Sequence, residues 1–97
     1  MTLNEYSQEA HKNAVEKGFY QRDRDVPELL MLVITEIAEA VEEDRKIDRD
    51  DNFWEEIADV FIRLFDLCGF YGVDIEPYIH DKMEKNKLRP PKHNKRY

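Results

Sequence analysis

The 97-residue chain is short of most things that hold or punctuate small proteins by other means. It has one cysteine, three glycines, four prolines and one tryptophan. A single cysteine, Cys68, cannot close an internal disulfide, and without a CxxC pair there is no zinc or thiol-redox motif. Cys68 sits among core-type residues in "FIRLFDLCGF" and reads as a small buried hydrophobe, not a nucleophile. No apolar run approaches the roughly 18 residues that span a bilayer. The opening "MTLNEYSQEAHK" lacks a basic stretch followed by an apolar one. The expectation is therefore a cytoplasmic protein without membrane contact. No segment alternates apolar and polar residues with period two, which argues against β-strands, and no internal repeat is present.

What the chain does have is 41% hydrophobic and 38% charged residues, a globular and helix-rich composition. Its length suits one domain, 1–97, near the lower limit for a stable single core, so partner chains would help. The net charge of −7 is unevenly spread. Residues 1–81 hold 8 basic and 21 acidic side chains, net −13, while residues 82–97 hold 7 and one, net +6. Either an acidic body carries a nucleic-acid-binding tail, or a basic segment serves an anionic ligand held near that body.

Four helical segments are predicted. The first runs from Leu3 to about Lys17, with Thr2 and Glu5 as a capping box and Gly18 as its stop. Asp25 caps the second, with Pro27 in its first turn and Glu28 three residues after the cap; Leu30, Val33, Ile37 and Val41 follow at helical spacing. The third starts near Asn52, presents Phe53, Trp54, Ile57, Val60, Phe61, Leu64, Phe65 and Cys68, and ends at Gly69 or Gly72. Asp74 can cap a fourth, which must stop before Pro90 and Pro91. Residues 90–97 read as a basic tail. The expected fold is an all-α antiparallel four-helix bundle.

Carboxylates among the apolar positions are the unusual feature. Glu36 falls within the apolar arc of the second helix and Glu39 at its margin, three residues on and on the same face. The third helix repeats the spacing with Glu56 and Asp59, beside Ile57 and Val60. Two helices joined by a short loop pack antiparallel, so both pairs can converge. Four carboxylates in a half-dry place repel one another, and a divalent cation relieves that. Oxygen-only ligands favour Mg²⁺, with Mn²⁺ as the other choice. A di-iron bundle would need Glu-x-x-His pairs, and His80 is at the wrong offset for one. Either acidic pair alone would more often be a solvated helix face; Glu42, Glu43, Glu55 and Asp66 are read that way.

"TEIAEAVEEDR" followed by "FWEEIADVFIRLFDLCG" resembles the MazG-type all-α nucleoside triphosphate pyrophosphohydrolases, whose signature is ExxE, a spacer, then ExxD. In this chain the signature is Glu36, Glu39, Glu56 and Asp59. "DKMEKNKLRPPKH" is similar to the basic segment that follows in the family, with Lys82, Asn86, Arg89 and Pro90 in its positions. The resemblance spans about residues 10 to 93. It implies Mg²⁺-dependent cleavage of an NTP or dNTP between the α and β phosphates, giving a monophosphate and pyrophosphate. It also implies the four carboxylates as metal and catalytic residues, with Glu39 or Glu36 taking the water's proton, and Lys82, Asn86 and Arg89 on the phosphates. His11 would line the base pocket, with Asn13, Phe19, Tyr20 and Trp54 as further candidates, and the chain would form a homodimer or homotetramer. His80 and His93 are read as surface residues.

Other readings remain. A phosphoribosyl-ATP- or dUTP-specific relative would share the acidic pattern. A non-catalytic helical interaction module would pair the carboxylates with Arg45, Arg63 and Lys82 between subunits. Nucleic-acid binding by the segment from Lys82 to Arg96 is opposed by the acidic body and by a tail whose sole aromatic is Tyr97.

Overall fold

A computed structural model describes residues 1–90. It contains four helices, α1 (Leu3–Glu16), α2 (Val26–Asp44), α3 (Asn52–Tyr71) and α4 (Glu76–Lys87), and no strand among the described residues. The tail beyond Pro90, including His93, lies outside them.

Local chemistry sets the boundaries. Thr2 and Glu5 exchange hydrogen bonds across the start of α1, each side chain accepting from the other's backbone N–H at 3.0–3.1 Å. Gly18, at φ 85°, takes the left-handed turn that follows the helix end. Asp25 accepts from the N–H of Glu28 at 2.9 Å to cap α2. Gly72, at φ 65°, ends α3, with the Val73 N–H donating to the Cys68 carbonyl at 2.9 Å. Asp74 accepts from the Glu76 N–H at 3.1 Å, so it caps the first turn of α4 from two residues away.

α3 is the centre of the molecule. α1 packs along one side of it and α2 along another, whereas α4 has no comparable packing against any of the three. The expected four-helix arrangement is thus realised as three packed helices and one that stands off. The radius of gyration, 16.2 Å, exceeds the roughly 12 Å of a compact chain of this length.

The seams differ in chemistry. Against α3, α2 buries Leu29, Val33, Glu36 and Ala40, a series spaced four, three and four residues apart. The expected series Leu30, Val33, Ile37 and Val41 is therefore corrected: of its members Val33 is buried, and Leu30, Ile37 and Val41 are exposed. α2 is apolar around more than one face, so spacing alone could not say which stripe meets α3. On the other side of α3, Gly69 lets α1 approach so closely that a Cβ there would meet the Ser7 carbonyl and lie 2.7 Å from the His11 Cβ. Tyr6 stacks on Phe65 next to this contact, ring centroids 5.6 Å apart.

Candidate functional site

α2 and α3 face each other through Glu36 and Arg63, the Arg63 Nε donating to Glu36 Oε1 at 3.2 Å. With that pairing, Asp59 falls one turn and Glu56 two turns nearer the α2–α3 loop than Arg63. One carboxylate oxygen from each of Glu36, Glu56 and Asp59 lies within 4.8 Å of the others. The two acidic pairs thus converge as their spacing implied, with three of the four in the group. Glu39 is the fourth; it is exposed and lines a neighbouring hollow with Glu42, Glu43 and Glu56.

The electrostatics are those of a half-dry acidic site. Burial pushes the Glu36 carboxyl above its ordinary range; the Arg63 hydrogen bond works against that, and the negative charge of Glu39 adds to it. Glu56 has a buried oxygen, Oε2, with no hydrogen-bond partner among the described residues. An orphaned buried carboxylate oxygen is costly, and a hard cation is the kind of group that would answer it. The donor set is all oxygen, which suits Mg²⁺ or Mn²⁺ better than a softer ion. Glu43, close by, is held by the Lys46 ammonium at 2.8 Å.

A cleft of about 610 Å³ opens beside this cluster between α1 and the α2–α3 pair, with Glu36, Asp59, Arg63 and Asp66 on one side. Asn13, one of the expected base-pocket candidates, lines the α1 wall, together with Glu9 and Lys17. Lys17 was not singled out in the sequence; its signal is the spacing of four from Asn13, which puts both on one face of α1.

His11 does not line this cleft. Its Nδ1 is 2.9 Å from Asp66 Oδ1, and the Tyr20 hydroxyl donates to Asp66 Oδ2 at 2.7 Å. The imidazole lies edge-on to Tyr20 and Phe70, centroids 4.9 and 5.8 Å away, and borders a separate hollow of about 260 Å³ with Arg22 and Arg24. Burial first, then Asp66 as acceptor and as charge, push the Tyr20 phenol far up and keep it a donor. Asp66, read from sequence as a solvated surface residue, is instead 5% exposed. Its partners lie 55 and 46 residues away in the chain, so no local spacing could have found it. Glu43 is likewise half-buried, whereas Glu42 and Glu55 are exposed as expected.

The aromatic candidates have separate fates. The Arg24 guanidinium lies 4.0 Å over the Phe19 ring, and Trp54 is exposed and edge-on to Phe53. The basic element is placed apart from the carboxylates. Lys82 lines a shallow hollow on α4 with Tyr78, Ile79 and Met83. Asn86 is near the end of α4, and Arg89 lies past it, so the helical stripe joins Lys82 and Asn86 but not Arg89. His80 is exposed. The Cys68 thiol is half-buried and burial pushes its pKa up, which suits packing rather than nucleophilic attack.

No family model, curated protein or solved structure matches the chain. No described helix is long and apolar enough to cross a membrane.

Proposed function

We propose that the chain is a cytoplasmic, divalent-cation-dependent nucleotide pyrophosphohydrolase that cleaves an NTP or dNTP between its α and β phosphates. The observation that carries this reading is the meeting of Glu36, Glu56 and Asp59, one of whose Glu56 oxygens is buried without a partner among the described residues, at the edge of a cleft of nucleotide size. The order of its acidic and basic motifs, similar to that of MazG-type enzymes, supplies the reaction.

Glu36, Glu56 and Asp59 would hold Mg²⁺, which when bound neutralises phosphate charge and acidifies water. Glu39, outside the trio and exposed, is the carboxylate best placed to accept the water's proton. Lys17 and Arg63 bring positive charge to the cleft, where they would orient the polyphosphate. Asn13 offers an amide to a base edge. Asp66 keeps His11 and Tyr20 tied behind the cleft wall. Lys82, Asn86 and Arg89 would reach the phosphates when α4 closes over a cleft, and the working form would be a homodimer or homotetramer.

The alternative, a non-catalytic interaction module, expects Arg63 to pair with the carboxylates between subunits, whereas Arg63 pairs with Glu36 within the chain. The test is product analysis with a panel of NTPs and dNTPs in Mg²⁺, with EDTA and Asp59→Asn as controls. Monophosphate plus pyrophosphate, lost in both controls, is the expected result and would also name the preferred base. No turnover, together with no effect of Mg²⁺ on thermal stability, would favour the module.

A further inference from the structure

Arg63 has fewer partners than its place in α3 offers. Asp59 lies four residues before it and Asp66 three after, the spacings at which helical ion pairs form. It pairs with neither. Both Asp66 oxygens are taken by His11 and Tyr20, and the carboxylate that Arg63 meets among the described residues is Glu36, through Nε at 3.2 Å. A guanidinium has five N–H groups. The remaining ones of Arg63 have no hydrogen-bond acceptor among the described residues, and the side chain, 34% exposed, lines the cleft. Its other support is the Phe19 ring, whose centroid lies 5.5 Å from the guanidinium carbon. Phe19 is itself fixed: Arg24 covers the ring at 4.0 Å and donates from Nε to the Phe19 carbonyl at 2.8 Å.

Glu36 is therefore claimed twice. It accepts from Arg63, and it is one of the three carboxylates whose oxygens lie within 4.8 Å of one another. A divalent cation held by that trio draws on the same carboxylate and sets its charge beside that of the guanidinium, so the two occupants weaken each other. The charge of the cleft adds to this. Glu9, Glu36, Asp59 and Asp66 line it with Lys17 and Arg63, four negative groups against two positive. That balance repels a polyphosphate, and one divalent cation brings it to neutrality. An anion entering after the cation also relieves the repulsion between cation and guanidinium.

We infer that Arg63 is a two-position residue that makes anion binding conditional on cation binding. In the first position it neutralises Glu36 and competes with a cation for that carboxylate. In the second, reached when Glu36, Glu56 and Asp59 are engaged by a divalent cation, Arg63 leaves Glu36 while still resting on Phe19, and its unused N–H groups take phosphate oxygens as a bidentate clamp. Such coupling is reciprocal: the anion tightens the cation by the same factor by which the cation tightens the anion. The inference rests on the proposed function for its cation and its polyphosphate, and adds that Arg63 links the two. Lys17, on the α1 wall and without an ion pair among the described residues, supplies charge but no such link.

The test is calorimetric titration of the full chain, first with Mg²⁺ alone and then with pyrophosphate in saturating Mg²⁺, for the wild type, Arg63→Gln and Lys17→Gln. Arg63→Gln should bind Mg²⁺ about five-fold more tightly than the wild type, the low end of ordinary coupling between sites. It should bind pyrophosphate about ten-fold or more weakly, the loss expected for a charged hydrogen bond. Lys17→Gln removes the same charge from the cleft; it should weaken pyrophosphate and leave the Mg²⁺ affinity unchanged. Should Arg63→Gln unfold, phenylglyoxal labelling of Arg63 in the wild type decides, read by peptide mass. Labelling should speed up several-fold with Mg²⁺ and slow again when pyrophosphate is added. Equal Mg²⁺ affinity in the wild type and Arg63→Gln, the same tightening in Lys17→Gln, undiminished pyrophosphate binding by Arg63→Gln, or labelling indifferent to Mg²⁺ would each overturn the inference and leave the proposed function standing. A wild type that binds no Mg²⁺ would overturn both.

Discussion

Replacing Gly69 by alanine sets two effects of opposite sign against each other. In an ordinary helix interior the change stabilises by about 0.5–1 kcal/mol, because alanine loses less backbone freedom. At Gly69 the new methyl would run into the Ser7 carbonyl and lie 2.7 Å from the His11 Cβ, both on the backbone side of α1 rather than at the tip of a flexible chain. Relief requires α1 to move off α3, and overpacking of this kind costs about 1–3 kcal/mol. The same movement stretches the His11 and Tyr20 hydrogen bonds to Asp66, each of which, with a charged acceptor, contributes about 1.5–3 kcal/mol. The net expectation is a loss of about 2–4 kcal/mol. For a chain of this size that is a fall in Tm on the order of 10–20 °C, measured by thermal and urea unfolding at fixed protein concentration. Gly72→Ala makes the comparison: nothing lies within 4 Å of its added Cβ, but at φ 65° the residue is left-handed, so the loss should be about 1–2 kcal/mol. A Gly69→Ala protein as stable as the wild type would refute the close seating of α1 on α3.

Asp66→Asn keeps the shape but turns one acceptor into an amide that faces a donor, so urea unfolding should show a loss of about 1–3 kcal/mol; no change would mean that His11 and Tyr20 do not depend on the carboxylate. The raised pKa of Glu36 makes its charged form a burden on the folded state at pH values above that pKa, and the burden is relieved as pH falls through it. Glu36→Gln should therefore be more stable than the wild type at pH 7 in chelator, with the difference shrinking on acidification toward the ordinary carboxylate range; a difference that grows there would contradict the assignment. Glu56→Gln should remove the rise in Tm produced by Mg²⁺ while leaving stability in EDTA equal or higher, as read by thermal shift. A full-sized Mg²⁺ effect in that variant would take Glu56 out of the ligand set.

Helix ends were legible in the chain because they are set by residues a few positions apart. Thr2 with Glu5, Asp25 with Glu28, and Gly72 act where their spacing places them. The convergence of Glu36, Glu56 and Asp59 was legible too, since a short loop forces α2 and α3 into one antiparallel register. Which apolar stripe of α2 meets α3 was not legible, because two stripes one residue apart satisfy the same period. Asp66 was misread for a different cause: its burial depends on His11 and Tyr20, which tertiary packing brings from far along the chain. The stripe of Lys82, Asn86 and Arg89 assumed a helix reaching Arg89, and α4 stops at Lys87, ahead of the Pro90 and Pro91 pair.

The one-residue offset between the buried and the exposed apolar series of α2 makes this helix a text read in two tracks at once. A substitution alters one track and leaves the other intact. Deleting a single residue before Glu36 shifts the upstream residues by a full track, so that Glu28 and Leu32 point at α3 while Leu29 and Val33 turn to the exposed side of Leu30 and Ile37; an insertion shifts them the other way. A one-residue change in length should therefore be tolerated in the 17–25 and 45–51 connections and be disruptive in α2 between Leu29 and Val41.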